Sequence, residues 1–175
     1  MERGSDTQAD RSCRCDGCQR TAGTTAPARS VVTCPDCGRQ RRLCGECTAR
    51  REYRLGYARY REGRRQLTAG LDYYADERWT DARAHIEAAA DQFQAAVDHF
   101  TTAVGRASRD GVVEPVERAR QKTTCFWQAM EWLSGATFSR ERSADLLAAK
   151  FRHDGRQRLR TAADYGTLVE PSALG

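Results

Sequence analysis

The sequence predicts a mainly α-helical protein, in which a small cysteine-rich N-terminal module precedes an antiparallel bundle of about four helices. Three observations lead to this fold class. Seven of the eight cysteines lie between residues 13 and 47. Apolar residues in the segment that follows recur with the three- and four-residue spacing of amphipathic helices. No run of about 18 apolar residues is present, so neither a transmembrane helix nor a membrane partner is expected.

The chain is expected to divide into four segments. These are a disordered polar tail (1–12), a zinc-binding module (13–47), a helical bundle (48–166) and a C-terminal tail (167–175). The first twelve residues lack the apolar stretch of a secretory signal. A cytoplasmic protein with reduced thiols is therefore expected.

Charge is unevenly distributed along the chain. Residues 1–65 contain 15 arginines and 8 acidic residues, which is a net charge of +7, whereas residues 66–175 carry a net charge of −2. A basic segment attracts acidic partners, and nucleic acid is one of them. Any such partner is expected to meet the N-terminal part of the chain.

The cysteines of this part occur in the motifs CRCDGC, CPDC and CGEC. Two thiolates separated by two residues on a tight turn can bind one ion, and four of them form a tetrahedral structural zinc site. A disulfide scaffold does not fit a chain without a secretory signal, and a redox dithiol would need a βαβ context that is missing. The predicted Zn²⁺ ligands are Cys13, the first pair (Cys15 and Cys18), the second pair (Cys34 and Cys37) and the third pair (Cys44 and Cys47).

Two ligand sets remain open. The second and third pairs together close a compact loop. Alternatively, the first and third pairs share one ion and leave the second pair with Cys13 for a second, incomplete site. One zinc ion is expected, and a second requires one sulfur to bridge two ions. In either set the metal replaces a core that about 40 residues cannot build alone.

The order of the motifs resembles that of treble-clef zinc fingers of the HIT and MYND type. The stretch "SVVTCPDC" corresponds to a short strand that runs into a CPxC knuckle, and "LCGEC" corresponds to a pair that opens a helix. Through "CPDCG" the chain is also similar to small CPxCG zinc-finger proteins. The resemblance covers residues 13–50. It implies a structural metal, and the fourth pair of the family is absent.

The helix after the third pair has an apolar stripe, a basic flank and a glycine row. The stripe consists of Tyr53, Tyr57, Tyr60, Leu67 and Leu71. The glycines, Gly56, Gly63 and Gly70, recur every seven residues. Each glycine costs a helix interior about 1 kcal/mol relative to alanine, so the row predicts a closely packed neighbouring helix. The tyrosines are interpreted as core residues rather than as stacking platforms for bases.

The basic flank could contact phosphate groups. The candidate nucleic-acid-binding residues are Arg50, Arg54 and Arg61 on this helix and Arg39, Arg41 and Arg42 in "GRQRR". The alternative interpretation is that these arginines form an ordinary solvated surface.

Three more helices are expected. In the second, Ile86, Phe93 and Phe100 recur every seven residues. Its join to the first helix resembles a single tetratricopeptide repeat, through Gly70, Tyr73, Trp79, Ala82, Ile86 and Ala89. The third is expected to have Pro115 in its first turn and a buried Cys125. Trp127 and Trp132 cannot both face inward, and the outward one is either exposed or, as is more common, covered by a neighbouring helix. The fourth contains Leu146, Leu147, Phe151, Leu159 and Ala162, with a kink or a break at Gly155.

No catalytic motif is present, so the protein is not expected to be an enzyme. The predicted function is a zinc-finger adaptor that binds a protein partner through its helical bundle. The alternative is a zinc-finger factor that binds DNA or RNA through the arginine-rich head. A homodimer through the glycine and alanine faces remains open, and the three histidines are expected at the surface.

Overall fold

The computed structural model describes the backbone of residues 30–33 and 40–43 and the whole of residues 44–174. The predicted tail 1–12, Cys13, the first and second pairs and Arg39 lie outside these residues. The chain divides into two compact units, Met1–Thr48 and Ala49–Gly175. The described elements are β1 (Ser30–Thr33), β2 (Gln40–Leu43), α1 (Gly45–Ala75), α2 (Trp79–Val104), α3 (Asp110–Glu141), α4 (Asp145–Asp164) and a 3₁₀ turn (Pro171–Ala173).

The described part of the chain is mainly helical and has four α-helices, as the sequence predicts. The two strands form an antiparallel hairpin, which belongs to the first unit. The four helices pack as a bundle whose buried residues form a single apolar cluster.

The glycine row of α1 packs against a row of large side chains on α2, so the predicted close approach is confirmed. A Cβ atom added at each glycine would lie 2.8 or 2.9 Å from one α2 side chain: Phe100 at Gly56, Phe93 at Gly63 and Ile86 at Gly70. Both rows repeat every seven residues, and their order is reversed between the helices. The two helices therefore run antiparallel, and the glycine row of α1 is occupied by contacts with α2 of the same chain.

The centre of the bundle is aromatic. The ring centroid of Phe126 on α3 lies 5.1 Å from that of Phe93 and 5.7 Å from that of Tyr60. Tyr53 and Tyr60 are buried, and Tyr57 is half-buried. The interpretation of the tyrosine stripe as core is thus confirmed for Tyr53 and Tyr60, whose rings are not available for stacking on bases. Full burial of one such ring contributes about 1.5–3 kcal/mol.

Helix α4 packs on α3 through small residues. A Cβ atom on Gly155 would lie 2.9 Å from Cγ of Leu133, and α4 is one continuous helix from Asp145 to Asp164. Gly155 therefore does not split α4, and its missing side chain allows close packing against Leu133. The buried residues of α4 are Ala148, Gly155 and Ala162, and Phe151 also contacts α3, at Gly135.

The ends of α1 and α3 are set by residues with left-handed backbone conformations. Glu77 has φ 59° and Ser143 has φ 57°. At the end of α1, the N–H of Arg78 donates to the carbonyl of Tyr73 at 2.9 Å, and at the end of α3 the N–H of Ala144 donates to the carbonyl of Ser139 at 2.8 Å. These bonds are typical of a Schellman motif, in which glycine is the usual residue.

Helix α3 begins earlier than the sequence predicts. It starts at Asp110, so Pro115 lies inside the helix rather than in its first turn. The missing N–H of this proline removes a bond to the carbonyl of residue 111, which is glycine.

The segment after α4, expected to be a tail, packs on the bundle. Leu168 and Leu174 are buried. The hydroxyl of Tyr53 donates to the carbonyl of Val169 at 2.7 Å, and that of Tyr57 donates to the Glu170 carboxylate at 2.6 Å. Since α4 has 20 residues and α1 has 31, this segment covers α1 where α4 has already ended.

Buried Lys122 of α3 holds the start of this segment. Its Nζ donates to the carbonyl of Gly166, which has φ 68° and follows α4. Burial, with a smaller contribution from the charge of Arg64, lowers the pKa of Lys122. The ammonium group is thus partly desolvated and bound to a backbone acceptor.

Candidate functional site

The third cysteine pair lies where the hairpin joins α1. Cys44 follows β2 directly, and its carbonyl accepts the backbone N–H and the hydroxyl of Thr48, both at 3.0 Å. Cys44 is therefore the N-cap residue of α1, and Cys47 is its third residue. Side chains at these two positions lie on the same side of a helix N-terminus. Both cysteines are half-buried, and such a pair can supply two ligands to one ion.

The register of the two strands shows which residues lie at each end of the hairpin. Thr33 pairs with Gln40 and Ser30 pairs with Leu43. Strands of four residues are about 10 Å long, so Thr33 and Leu43 lie at opposite ends of the hairpin. In sequence, Cys34 of the second pair follows Thr33, and Cys44 of the third pair follows Leu43.

The described residues contain no complete metal site. Among them, no group of three or more histidine, cysteine, aspartate or glutamate side chains is arranged to hold an ion. The first and second pairs and Cys13, which are the remaining predicted ligands, lie outside the described part of the chain. The zinc site thus stays a prediction that rests on the sequence motifs and the geometry of the third pair.

Cys125 and the histidines have structural environments. Cys125 is buried, and burial raises the pKa of its thiol, against a smaller opposite effect of Arg158. His85 bonds to Gln66 at 2.8 Å, His99 bonds to Glu52 at 2.7 Å, and His153 is exposed. The predicted buried thiol and the edge or surface positions of the histidines are confirmed.

The predicted basic residues are spread over several elements. Arg41 and Arg42 lie on β2 opposite Val32 and Val31, and Arg39 is outside the described residues. On α1, Arg50 is half-buried. Arg54 and Arg61, which we call the α1 arginine pair, are exposed. Within residues 44–174 neither of these two makes an ion pair or a hydrogen bond.

An apolar patch lies on the outer face of α3 and α4. The ring of Trp132 is 5.8 Å from that of Phe151, and Phe151 covers Gly135 at 3.0 Å from an added Cβ atom. Phe138 is one turn beyond Gly135, and Leu147 is one turn before Phe151. We call Trp132, Phe138, Leu146, Leu147 and Phe151 together the α3–α4 patch; of these, Trp132 and Phe151 are in ring contact, and Phe138 lies beside Arg83 of α2 and Arg142.

Most of this patch is exposed to solvent. The exposed fraction is 37% for Trp132, 40% for Phe138, 47% for Leu147 and 90% for Leu146. Of the two tryptophans, Trp127 packs on the core and Trp132 is exposed rather than covered by a neighbouring helix. The sequence pattern predicts the leucines of the patch on the apolar face of α4. They are left outside because small residues form the contact with α3.

Sequence reasoning also missed a row of arginines on α4. Arg152, Arg156 and Arg160, which we call the α4 arginine row, follow one another at four-residue spacing and line one open surface groove with Ala149 and His153. The spacing is visible in the sequence. Which face of α4 meets solvent is decided only by its packing on α3.

No protein-family model, curated protein or solved structure matches the chain. In the described part of the chain no helix combines the length and the apolar character needed to cross a membrane.

Proposed function

We propose that the protein is a non-catalytic zinc-finger adaptor, whose helical bundle binds another protein through the α3–α4 patch. The observation that carries this proposal is the exposure of four large apolar side chains on neighbouring helices. Contiguous exposed apolar surface marks interaction sites in soluble proteins, and the ring contact between Trp132 and Phe151 joins α3 and α4 in such a surface. Tryptophan is among the residues that contribute most to binding energy.

The zinc module has a structural role in this proposal. The first and third pairs bind one Zn²⁺, and the second pair with Cys13 forms a separate, incomplete site. The hairpin register supports this choice: Zn–S bonds are about 2.3 Å long, whereas Thr33 and Leu43 lie at opposite ends of strands about 10 Å long. If the second and third pairs shared one ion, their four thiolates would have to meet across that length.

The chemistry of the patch indicates what it binds. Arg142 lies 4.0 Å above the ring of Phe138, and no carboxylate of the described residues pairs with it. Lys150 and Arg158 lie exposed on the same helix as Leu147. An apolar surface with an unpaired basic edge is complementary to an amphipathic helix that carries acidic residues beside its apolar face.

Replacing Leu146 with aspartate is expected to abolish retention of the partner while the fold is unchanged, because this side chain is 90% exposed. Replacing Trp132 with serine is expected to cost about 2 kcal/mol of binding free energy or more, which is roughly a 30-fold loss of affinity. The measurement is quantitative affinity purification from cell extract, followed by titration with the purified protein whose retention the variants reduce.

The matched control is Leu55→Asp, the same chemical change at a leucine that is 37% exposed on α1. This variant should retain the partner. If wild type and all three variants retain the same proteins in the same amounts, the α3–α4 patch is not a docking site and the adaptor proposal fails.

A second candidate function is binding of DNA or RNA by the arginine-rich head. It is favoured by the α1 arginine pair, which is exposed without acidic partners in residues 44–174. Arginine forms bidentate contacts with phosphate. The buried Tyr53 and Tyr60 do not contribute base stacking, so this function would depend on phosphate contacts alone.

Exchange of Arg54 and Arg61 for glutamate is expected to weaken binding of a fluorescent single-stranded oligonucleotide and to reduce its salt dependence. The slope of log K against log salt should fall by about 0.7 for each phosphate that is no longer neutralised. The matched control is Arg106→Glu with Arg109→Glu, which changes the net charge equally at two exposed arginines between α2 and α3. Equal losses of affinity in both variants would mean a non-specific charge effect and would exclude the α1 arginine pair as a site.

A further inference from the structure

The α4 arginine row forms a basic line on the surface of the second unit. Its three guanidinium groups are spaced by one helical turn, about 6 Å along the axis. Ala149 and His153 complete the lining of the groove. Arg156 and Arg160 are exposed, and Arg152 is half-buried.

Acidic residues do not neutralise this line. In the described part of the chain none of its three arginines makes an ion pair, and Arg152 lies 5.9 Å from the ring of Tyr74. Asp154 lies on the other flank of α4, where it lines a groove with Trp132. Other arginines are paired, for example Arg118 with Glu114 at 2.5 Å.

Like charges one turn apart on a helix destabilise it. Three unneutralised arginines in line therefore favour a bound anion that spans several turns. The groove offers only Ala149 as an apolar contact, whereas the core of a protein–protein interface is apolar. Nucleic acids do not need an apolar contact of this kind, because contacts to their phosphates supply much of the affinity.

We propose that the α4 arginine row binds the phosphodiester backbone of a nucleic acid. The proposal rests on the second candidate function and extends it from α1 to α4 of the helical bundle. It requires neither the zinc ion nor the α1 arginine pair.

Two contacts near the ends of the row show how α4 runs relative to α1. Near its start, Arg152 is close to Tyr74 of α1. Just past its end, Gly166 is bound by Lys122, whose environment includes Arg64 of α1. Helix α4 therefore runs antiparallel to α1.

The test is fluorescence anisotropy with the full, zinc-loaded chain and a short fluorescein-labelled single-stranded oligonucleotide, titrated at several salt concentrations. Arg156→Glu with Arg160→Glu is compared with the Arg54→Glu/Arg61→Glu variant and with the Arg106→Glu/Arg109→Glu control. Binding by the row predicts that the first variant binds more weakly and that its salt slope falls by about 0.7 for each phosphate released from the row, while the control behaves like wild type. Circular dichroism verifies that each variant is folded.

The outcomes separate this proposal from the functions proposed above. Loss of binding in the Arg156/Arg160 variant alone supports the row and excludes the α1 arginine pair. Loss in the Arg54/Arg61 variant alone overturns the row and leaves the second candidate function intact. If wild type binds labelled polyglutamate but not the oligonucleotide, the row binds acidic protein and the proposal is overturned. No binding to either probe overturns it as well, and the adaptor function is unaffected.

Discussion

Replacing Cys44 and Cys47 with serine is expected to remove one zinc ion per chain and to unfold the β1–β2 hairpin, while the helices of Ala49–Gly175 keep their structure. A module of about 40 residues cannot bury enough apolar surface to fold alone. Structural zinc contributes about 10–16 kcal/mol of apparent binding free energy to such modules. The helical unit has its own core, with Phe93 and Phe126 at its centre.

Native mass spectrometry of wild type and variants measures the zinc content directly, and circular dichroism measures the helical content. The second pair provides the discriminating control. Replacement of Cys34 and Cys37 should leave one ion bound if the first and third pairs share it. Loss of all zinc from both variants would show instead that the second and third pairs form the site. Wild-type protein without zinc would refute the metal proposal altogether.

Replacing Gly63 with valine is expected to destabilise the bundle by about 3 kcal/mol or more. The new Cβ would lie 2.9 Å from two atoms of the Phe93 ring. That ring is fully buried, and overpacking of this kind costs about 1–3 kcal/mol or more. The small gain in helix propensity of valine over glycine does not offset this cost. Chemical denaturation measures the free energy of unfolding.

Gly111→Val is the matched control, because it makes the same change at a helical glycine with no neighbour within 4 Å, and its stability should be close to that of wild type. A second test combines Gly63→Val with Phe93→Ala. The smaller side chain opens space for valine, so the double variant should be destabilised by about 1–3 kcal/mol less than the sum of the two single effects. Strict additivity would mean that the two residues do not meet.

The sequence predicts the contact between α1 and α2 better than it predicts the residue at which α1 ends. The glycine row and the row of Ile86, Phe93 and Phe100 share a period of seven, so the sequence contains both halves of the contact. The end of α1 is harder to place. Glu77 adopts the left-handed conformation that glycine usually takes, so no sequence signal marks the position.

The candidate sites also differ in how well the sequence predicts them. The cysteine pairs can be recognised from spacing alone, because the chemistry needs only the ligands and a turn. The exposed patch could not be recognised, since an amphipathic pattern places leucine inward. In α4 the inward positions belong to Ala148, Gly155 and Ala162. Close helix packing selects small residues there and leaves Leu146 and Leu147 for another surface.

The packed C-terminal segment has a consequence for the order in which the bundle assembles. The bond between Tyr53 and Val169 joins residues 116 positions apart, whereas the α1–α2 and α3–α4 contacts are formed within helical hairpins. Contacts between distant residues carry the larger loop-closure entropy, and folding is faster where contacts are local. We therefore expect the hairpins to associate first and the segment from Leu168 to Leu174 to dock last. By the same reasoning it is the part of the bundle that opens most easily, and its opening exposes the Tyr53 side of α1 without unfolding the helices.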